Sequence, residues 1–203
     1  MNAARVRVVA LALALATLCG CGDPILWARW RAERDFWKAQ RKVDRILVSP
    51  RNAGPQDFRR AEQAFRSIGI EFPASRWGRS GASRMETDVA EISARSALAL
   101  ARLAELQSRG EEAVAGYAAV ERDWGLLPEL VLEAAVLRAA ALERQRRADE
   151  ALQVWGSISR RFEIVDASQG TVRGPVVDAG LRVAEALAAR PVEPAGASPA
   201  QRA

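Results

Sequence analysis

Few side chains in this chain could do covalent or metal chemistry. Two thiols, Cys19 and Cys21, stand two positions apart at the end of an apolar run, and they are the only cysteines among 203 residues. Adjacent acids occur at Glu111-Glu112 and Asp149-Glu150, a spacing that carboxylate-based hydrolysis could use. No histidine is present, which removes the commonest general base and the commonest metal ligand. No Walker loop, GxGxxG, GxSxG or EF-hand loop occurs either. Each acid pair opens a stretch of helical periodicity, where negative charge answers the positive end of a helix dipole. That role accounts for the acids without catalysis. The chain is expected to be no enzyme and to need no cofactor or metal.

The thiols belong with what surrounds them. Arg5 and Arg7 precede an apolar run from Val8 to Leu18. At about 11 residues the run is too short to span a bilayer, which needs roughly 20, and it has the layout of a secretory signal peptide. It exits through Leu18-Cys19-Gly20-Cys21. This resembles the bacterial lipobox, with Leu at −3, a small residue at −2, Gly at −1 and the obligatory Cys at +1. The resemblance implies that residues 1–20 are removed and that Cys21 is acylated as the new N-terminus. It also implies a mature chain with no free thiol and no disulfide, consistent with an oxidising compartment. Gly22 follows the cysteine where an Asp would hold an enteric-type lipoprotein in the inner membrane. The expected location is therefore the bacterial envelope, on the outer membrane facing the periplasm.

The full chain carries 30 basic and 25 acidic residues, and losing Arg5 and Arg7 lowers its net charge from +5 to +3. Such an excess can signal nucleic acid, but export argues against it. Acidic lipid or an acidic protein surface is the expected counterpart.

The body beyond the leader is helical in pattern. Apolar residues recur at spacings of three and four over 24–48, 56–69, 87–108, 111–123, 128–146, 148–162 and 174–189. Breaks fall at Pro50 with Gly54-Pro55, at Pro73, at Gly110, and at Gly125 with Pro128. "ASRWGRSGASRM", Ala74 to Met85, reads as an inserted loop. The span 164–190 reads as a linker and C-terminal capping helix, and 191–203 as a disordered tail.

Three segments share one layout. Ala61, Phe65 and Phe72-Pro73 correspond to Ala113, Tyr117 and Trp124-Gly125, and again to Ala151, Trp155 and Phe162-Glu163. The pattern resembles the second helix of the tetratricopeptide repeat. Leu100-Ala101 occupies that family's Leu-Gly position, with Ala97 and Ala104 in place of its Trp and Tyr. Ala135, Ala139 and Leu142 correspond in the third unit, and Arg138 replaces an expected Leu. The alanines lie 52 and 38 residues apart, against a family unit of roughly 34; the longer gap holds the inserted loop. The resemblance implies an all-α fold over 21–163, with antiparallel helical hairpins stacked as a short α-solenoid.

The same resemblance implies a partner-binding groove lined by Arg95, Leu98, Arg102 and Glu105, then Glu133, Val136, Ala140 and Glu143. Arg95 and Arg102 would make one end basic, and Glu133 and Glu143 the other end acidic. Ordinary solvation of these charges is the competing reading. The carboxylate clamp of chaperone-tail-binding members is absent, because Leu98 and Arg102 fill two of its places.

Asp23-Pro24 marks a helix start directly after the lipobox. In that helix Ile25, Ala28, Ala32, Phe36, Ala39, Val43 and Leu47 form an inward stripe. Leu26, Trp30 and Trp37 form a second stripe, with Trp27 beside it among Arg31, Arg34, Lys38 and Arg41. Two readings of the tryptophans stand: contact with lipid headgroups, or burial in the repeat body under arginine stems.

These features imply a lipid-anchored, non-enzymatic scaffold whose partner is an envelope protein or peptide segment. In outline it resembles the repeat lipoproteins of the outer-membrane barrel-assembly machinery. A chaperone-like module for unfolded exported proteins is the alternative, and an envelope hydrolase or its regulator a third. Nothing in the spacing specifies an oligomeric state.

Overall fold

The computed structural model describes residues 23–49, 52–162, 179, 181–183 and 185. The leader, Cys21, most of 164–190 and the 191–203 tail lie outside the described residues. The regular structure within them is entirely helical: α1 (Pro24–Val48), α2 (Pro55–Glu71), α3 (Ala74–Trp77), α4 (Arg84–Leu106), α5 (Gly110–Asp123), α6 (Pro128–Arg144) and α7 (Ala148–Phe162). Residues 179, 181–183 and 185 are helical as well.

Local chemistry sets the helix starts. The Asp23 side chain accepts from the Ile25 amide at 2.9 Å, and Pro24, which has no amide proton to satisfy, takes the first helical position. At α4 the Glu86 amide donates to Ser83 Oγ at 3.3 Å, while the Ser83 amide donates to the Glu86 carboxylate at 2.8 Å. This reciprocal cap begins the helix at Arg84, ahead of the start at 87 that apolar periodicity suggests. The Ser83 amide also holds the Glu86 carboxyl below its ordinary pKa.

The expected loop at 74–85 contains the short helix α3. Its Trp77 is only 6% exposed and meets the Phe72 ring edge-on at 6.1 Å. One indole in a Gly/Ser/Arg-rich setting buries enough apolar area to pin the segment. Gly78 makes the turn possible, since a Cβ there would lie 2.8 Å from the Ala74 carbonyl oxygen and 2.9 Å from that of Asp123.

α1, α2 and α4 pack mutually; from α4 onward each helix packs on the next, through α5 and α6 to α7. Connections of three or four residues at 107–109, 124–127 and 145–147 require neighbouring helices to run back alongside each other. Small residues set the approach: Ala28, Ala32 and Ala39 are buried on α1, and a Cβ on Gly116 of α5 would sit 2.8 Å from the Ala101 Cβ of α4.

The inward stripe of α1 ends on Ile46, not on Leu47, which is exposed. Five turns of about 3.6 residues return Ile46 to the azimuth of Ala28, and one further residue rotates off that face.

The core falls into two clusters. One joins α1 to α6 around Phe65, Phe72, Tyr117 and Trp124; the other joins α6 and α7 to Ala179 around Val131, Trp155 and Ile158. The three aromatics aligned in sequence, Phe65, Tyr117 and Trp155, are thus all interior. The Phe162 side chain lies outside the described residues.

Candidate functional site

Two surfaces draw together the residues singled out in sequence: one across α4 and α6, the other along the outside of α1. On the first, Glu105 of α4 accepts the Tyr117 hydroxyl at 2.8 Å and pairs with Arg144 of α6. Glu143 of α6 accepts the Trp155 indole N–H at 2.8 Å and the Arg182 guanidinium at 2.9 and 3.0 Å. Glu105, Tyr117 and Arg144 precede Glu143, Trp155 and Arg182 by 38 positions each.

The turns repeat at the same interval. Ser108 and Arg146 adopt φ values of 59° and 61°. The Arg109 amide donates to the Ala104 carbonyl at 2.9 Å, and the Arg147 amide to that of Leu142 at 3.0 Å. These are matching left-handed helix ends. Arg109 then pairs with Glu112, and Arg147 with Glu150, both at 2.6 Å. The acid pairs Glu111-Glu112 and Asp149-Glu150 occupy first helical turns, as expected from the dipole. Burial first, then the bond to Glu105, pushes the Tyr117 phenol well above its usual range.

The structure distributes the groove residues unevenly. Arg95 is exposed and pairs with Glu91 on its own helix at 2.7 Å. Arg102 reaches from α4 to Glu133 of α6 at 2.6 Å. Val136 and Ala140 are half-buried. Leu98 is a correction: it is 4% exposed and belongs to the core, where no partner reaches it. Helix α4 packs against α1, α2 and α5, so a position that the repeat alignment assigns to the groove becomes interior. The expected separation into a basic and an acidic end is also corrected, because Arg102 and Glu133 neutralise each other.

Along α1, Trp27, Trp30 and Trp37 remain 57%, 49% and 58% exposed. Trp27 and Trp30 meet edge to face at 5.6 Å, while Arg34 lies 4.9 Å from the Trp30 ring and Arg41 4.2 Å from that of Trp37. Arginine covers these rings in part, but none of the described helices buries them. Sequence reasoning missed a cleft of about 270 Å³ where the end of α1 meets α2, bordered by Lys42, Arg45, Asn52, Asp57 and Arg60. Lys42 and Arg45, one turn apart at the end of α1 and followed by Arg60 early in α2, were the available signal. Lys42 donates to the Arg60 carbonyl at 3.3 Å and Arg45 to that of Arg41 at 3.2 Å. Among the described residues Arg41, Lys42 and Arg45 make no ion pair.

No family model, curated protein or solved structure matches this chain. Among the described residues no helix is long and apolar enough to cross a membrane, and no group of three potential metal ligands occurs.

Proposed function

We propose that this chain is a lipid-anchored, non-enzymatic scaffold of the bacterial envelope. In this reading Cys21 tethers it to the outer membrane, and a short solenoid of tetratricopeptide type presents its α4–α6 face to a periplasmic protein partner. Outer-membrane protein assembly is the proposed setting. The observation that carries the reading is the 38-residue recurrence of the polar node Glu105/Tyr117/Arg144 as Glu143/Trp155/Arg182, together with its matching turns. A repeating polar stitch between successive helices is what a stacked array needs to keep its register. With Leu98 interior and the face lined by charges, a fixed partner fits better than a chaperone with many unfolded clients.

Crosslinking in intact cells, followed by purification of the anchored protein, tests the reading. One stoichiometric envelope partner is expected, its capture weakened by Arg95→Glu with Arg102→Glu while circular dichroism stays unchanged. A broad spread of unfolded outer-membrane proteins would replace the scaffold with a chaperone. Cys21→Ala should release the protein from membranes; full retention without a lipid label would remove the anchor from the proposal.

A further inference from the structure

We propose that the outer face of α1 binds anionic phospholipid, lying along the bilayer surface with its tryptophans at headgroup depth and the basic cluster Arg41, Lys42 and Arg45 meeting the lipid phosphates.

Among the described residues this face has no protein neighbour. Six of the nine exposed large apolar side chains among the described residues are on α1: Leu26, Trp27, Trp30, Trp37, Leu47 and Val48. The other three tryptophans, Trp77, Trp124 and Trp155, are buried. Exposed indoles are therefore confined to one helix, on the side opposite its buried alanines. An indole has an apolar body and one polar N–H, which suits the boundary between acyl chains and headgroups.

Charge singles out the same helix. α1 holds seven basic and three acidic residues, a net +4. From residue 49 onward the chain holds 21 of each sign: 30 basic less nine up to Arg45, and 25 acidic less Asp23 and the three in α1. The basic excess of the mature protein thus resides in α1. Among the described residues much of it has no ion-pair partner, since Arg41 stacks on Trp37 while Lys42 and Arg45 bond to backbone carbonyls.

Lipid fits this mixture better than protein does. Protein interfaces share the taste for Trp and Arg but are poor in lysine and in unpaired charge, so the cluster of Arg41, Lys42 and Arg45 without ion pairs among the described residues is what favours an anionic surface. Basic residues interleaved with Trp and Leu on one helical face instead characterise a surface-lying helix on acidic membrane. The face begins beside the lipobox, as Asp23 is two residues beyond Cys21. The inference rests on the membrane location in the scaffold reading, but requires no protein partner.

The test places the purified full chain in vesicles of phosphatidylglycerol or of phosphatidylcholine, each carrying brominated acyl chains that quench nearby tryptophan. Quenching is expected in phosphatidylglycerol. Arg41→Glu with Lys42→Glu and Arg45→Glu should reduce the face-bound fraction on the order of tenfold or more, given the contribution of each basic residue near an anionic surface. Trp27→Phe, Trp30→Phe and Trp37→Phe together define the background from the buried indoles, and circular dichroism confirms that each variant is folded. Rings open to aqueous iodide and untouched by brominated lipid would overturn the proposal, and equal quenching in the two lipids would overturn the anionic preference. Shielding that depends on protein concentration without vesicles would assign the face to a second copy, and shielding only with envelope extract to a protein, either of which overturns it. Loss of quenching with the crosslinked partner retained defeats this inference alone; the reverse defeats the scaffold alone.

Discussion

The α4–α6 face and the outer face of α1 both combine arginine with aromatic rings, yet they use the combination in opposite ways. On the first, Arg144 and Arg182 come from helical segments later in the chain to meet Glu105 and Glu143, which also hold Tyr117 and Trp155. On the second, Arg34 and Arg41 lie over Trp30 and Trp37 within their own helix, and the rings keep about half their surface open. Contacts between helices close one surface; contacts within a helix leave the other open. What separates the two is whether one of the described helices lies on that side, not which residue types are present.

Replacing one tryptophan on each side exposes that contrast most strongly. Trp155→Ala removes a buried ring and its bond to Glu143 and should cost about 3–5 kcal/mol in chemical denaturation. A much smaller loss would show the second core cluster to be loosely packed.

Gly116→Ala comes next. Alanine favours a helix, but its methyl group would meet the Ala101 Cβ at 2.8 Å, so the overpacked α4–α5 contact should lose about 1–3 kcal/mol. A gain in stability would show that the two helices can separate without loss.

Tyr117→Phe keeps the ring and deletes only the hydroxyl in the repeated node, which should cost about 1 kcal/mol. It also carries a pH signature. The folded phenol titrates above its ordinary value of 10.0, chiefly through burial. The stability from its protonated form is therefore complete below that value and declines as pH rises from there toward the raised folded pKa. The Phe variant should lack this alkaline decline in pH-dependent melting, and an unchanged limb would assign the decline to other groups.

The smallest effect belongs to the open face. Trp37→Ala should change stability by no more than about 0.5 kcal/mol, as at an ordinary surface position. A loss approaching that of Trp155→Ala would mean that α1 depends on the ring for folding and would erase the distinction between the faces.

Much of the fold is legible in the chain because helix formation is local. Asp23-Pro24, Ser83 with Glu86, and the Pro and Gly breaks act within a turn or two, and the helix spans follow them closely. The interval from Ala113 to Ala151 is likewise readable, and the matching side-chain nodes share its 38 residues. Trp77 was hidden because composition averages over a segment while a single buried ring anchors it. Leu98 was misplaced because the repeat alignment assigns groove positions without counting how many faces of α4 its neighbours cover.

By itself, the sequence determined where most of the long helices start and stop and which aromatics recur, since these depend on dihedral preference and capping between residues a few positions apart. Only the tertiary structure decided that Arg102 answers Glu133, that Arg182 answers Glu143, and that the α1 tryptophans face outward. Those outcomes depend on partners 31 or 39 residues away, or on no described helix covering a face, and no local pattern carries that distance.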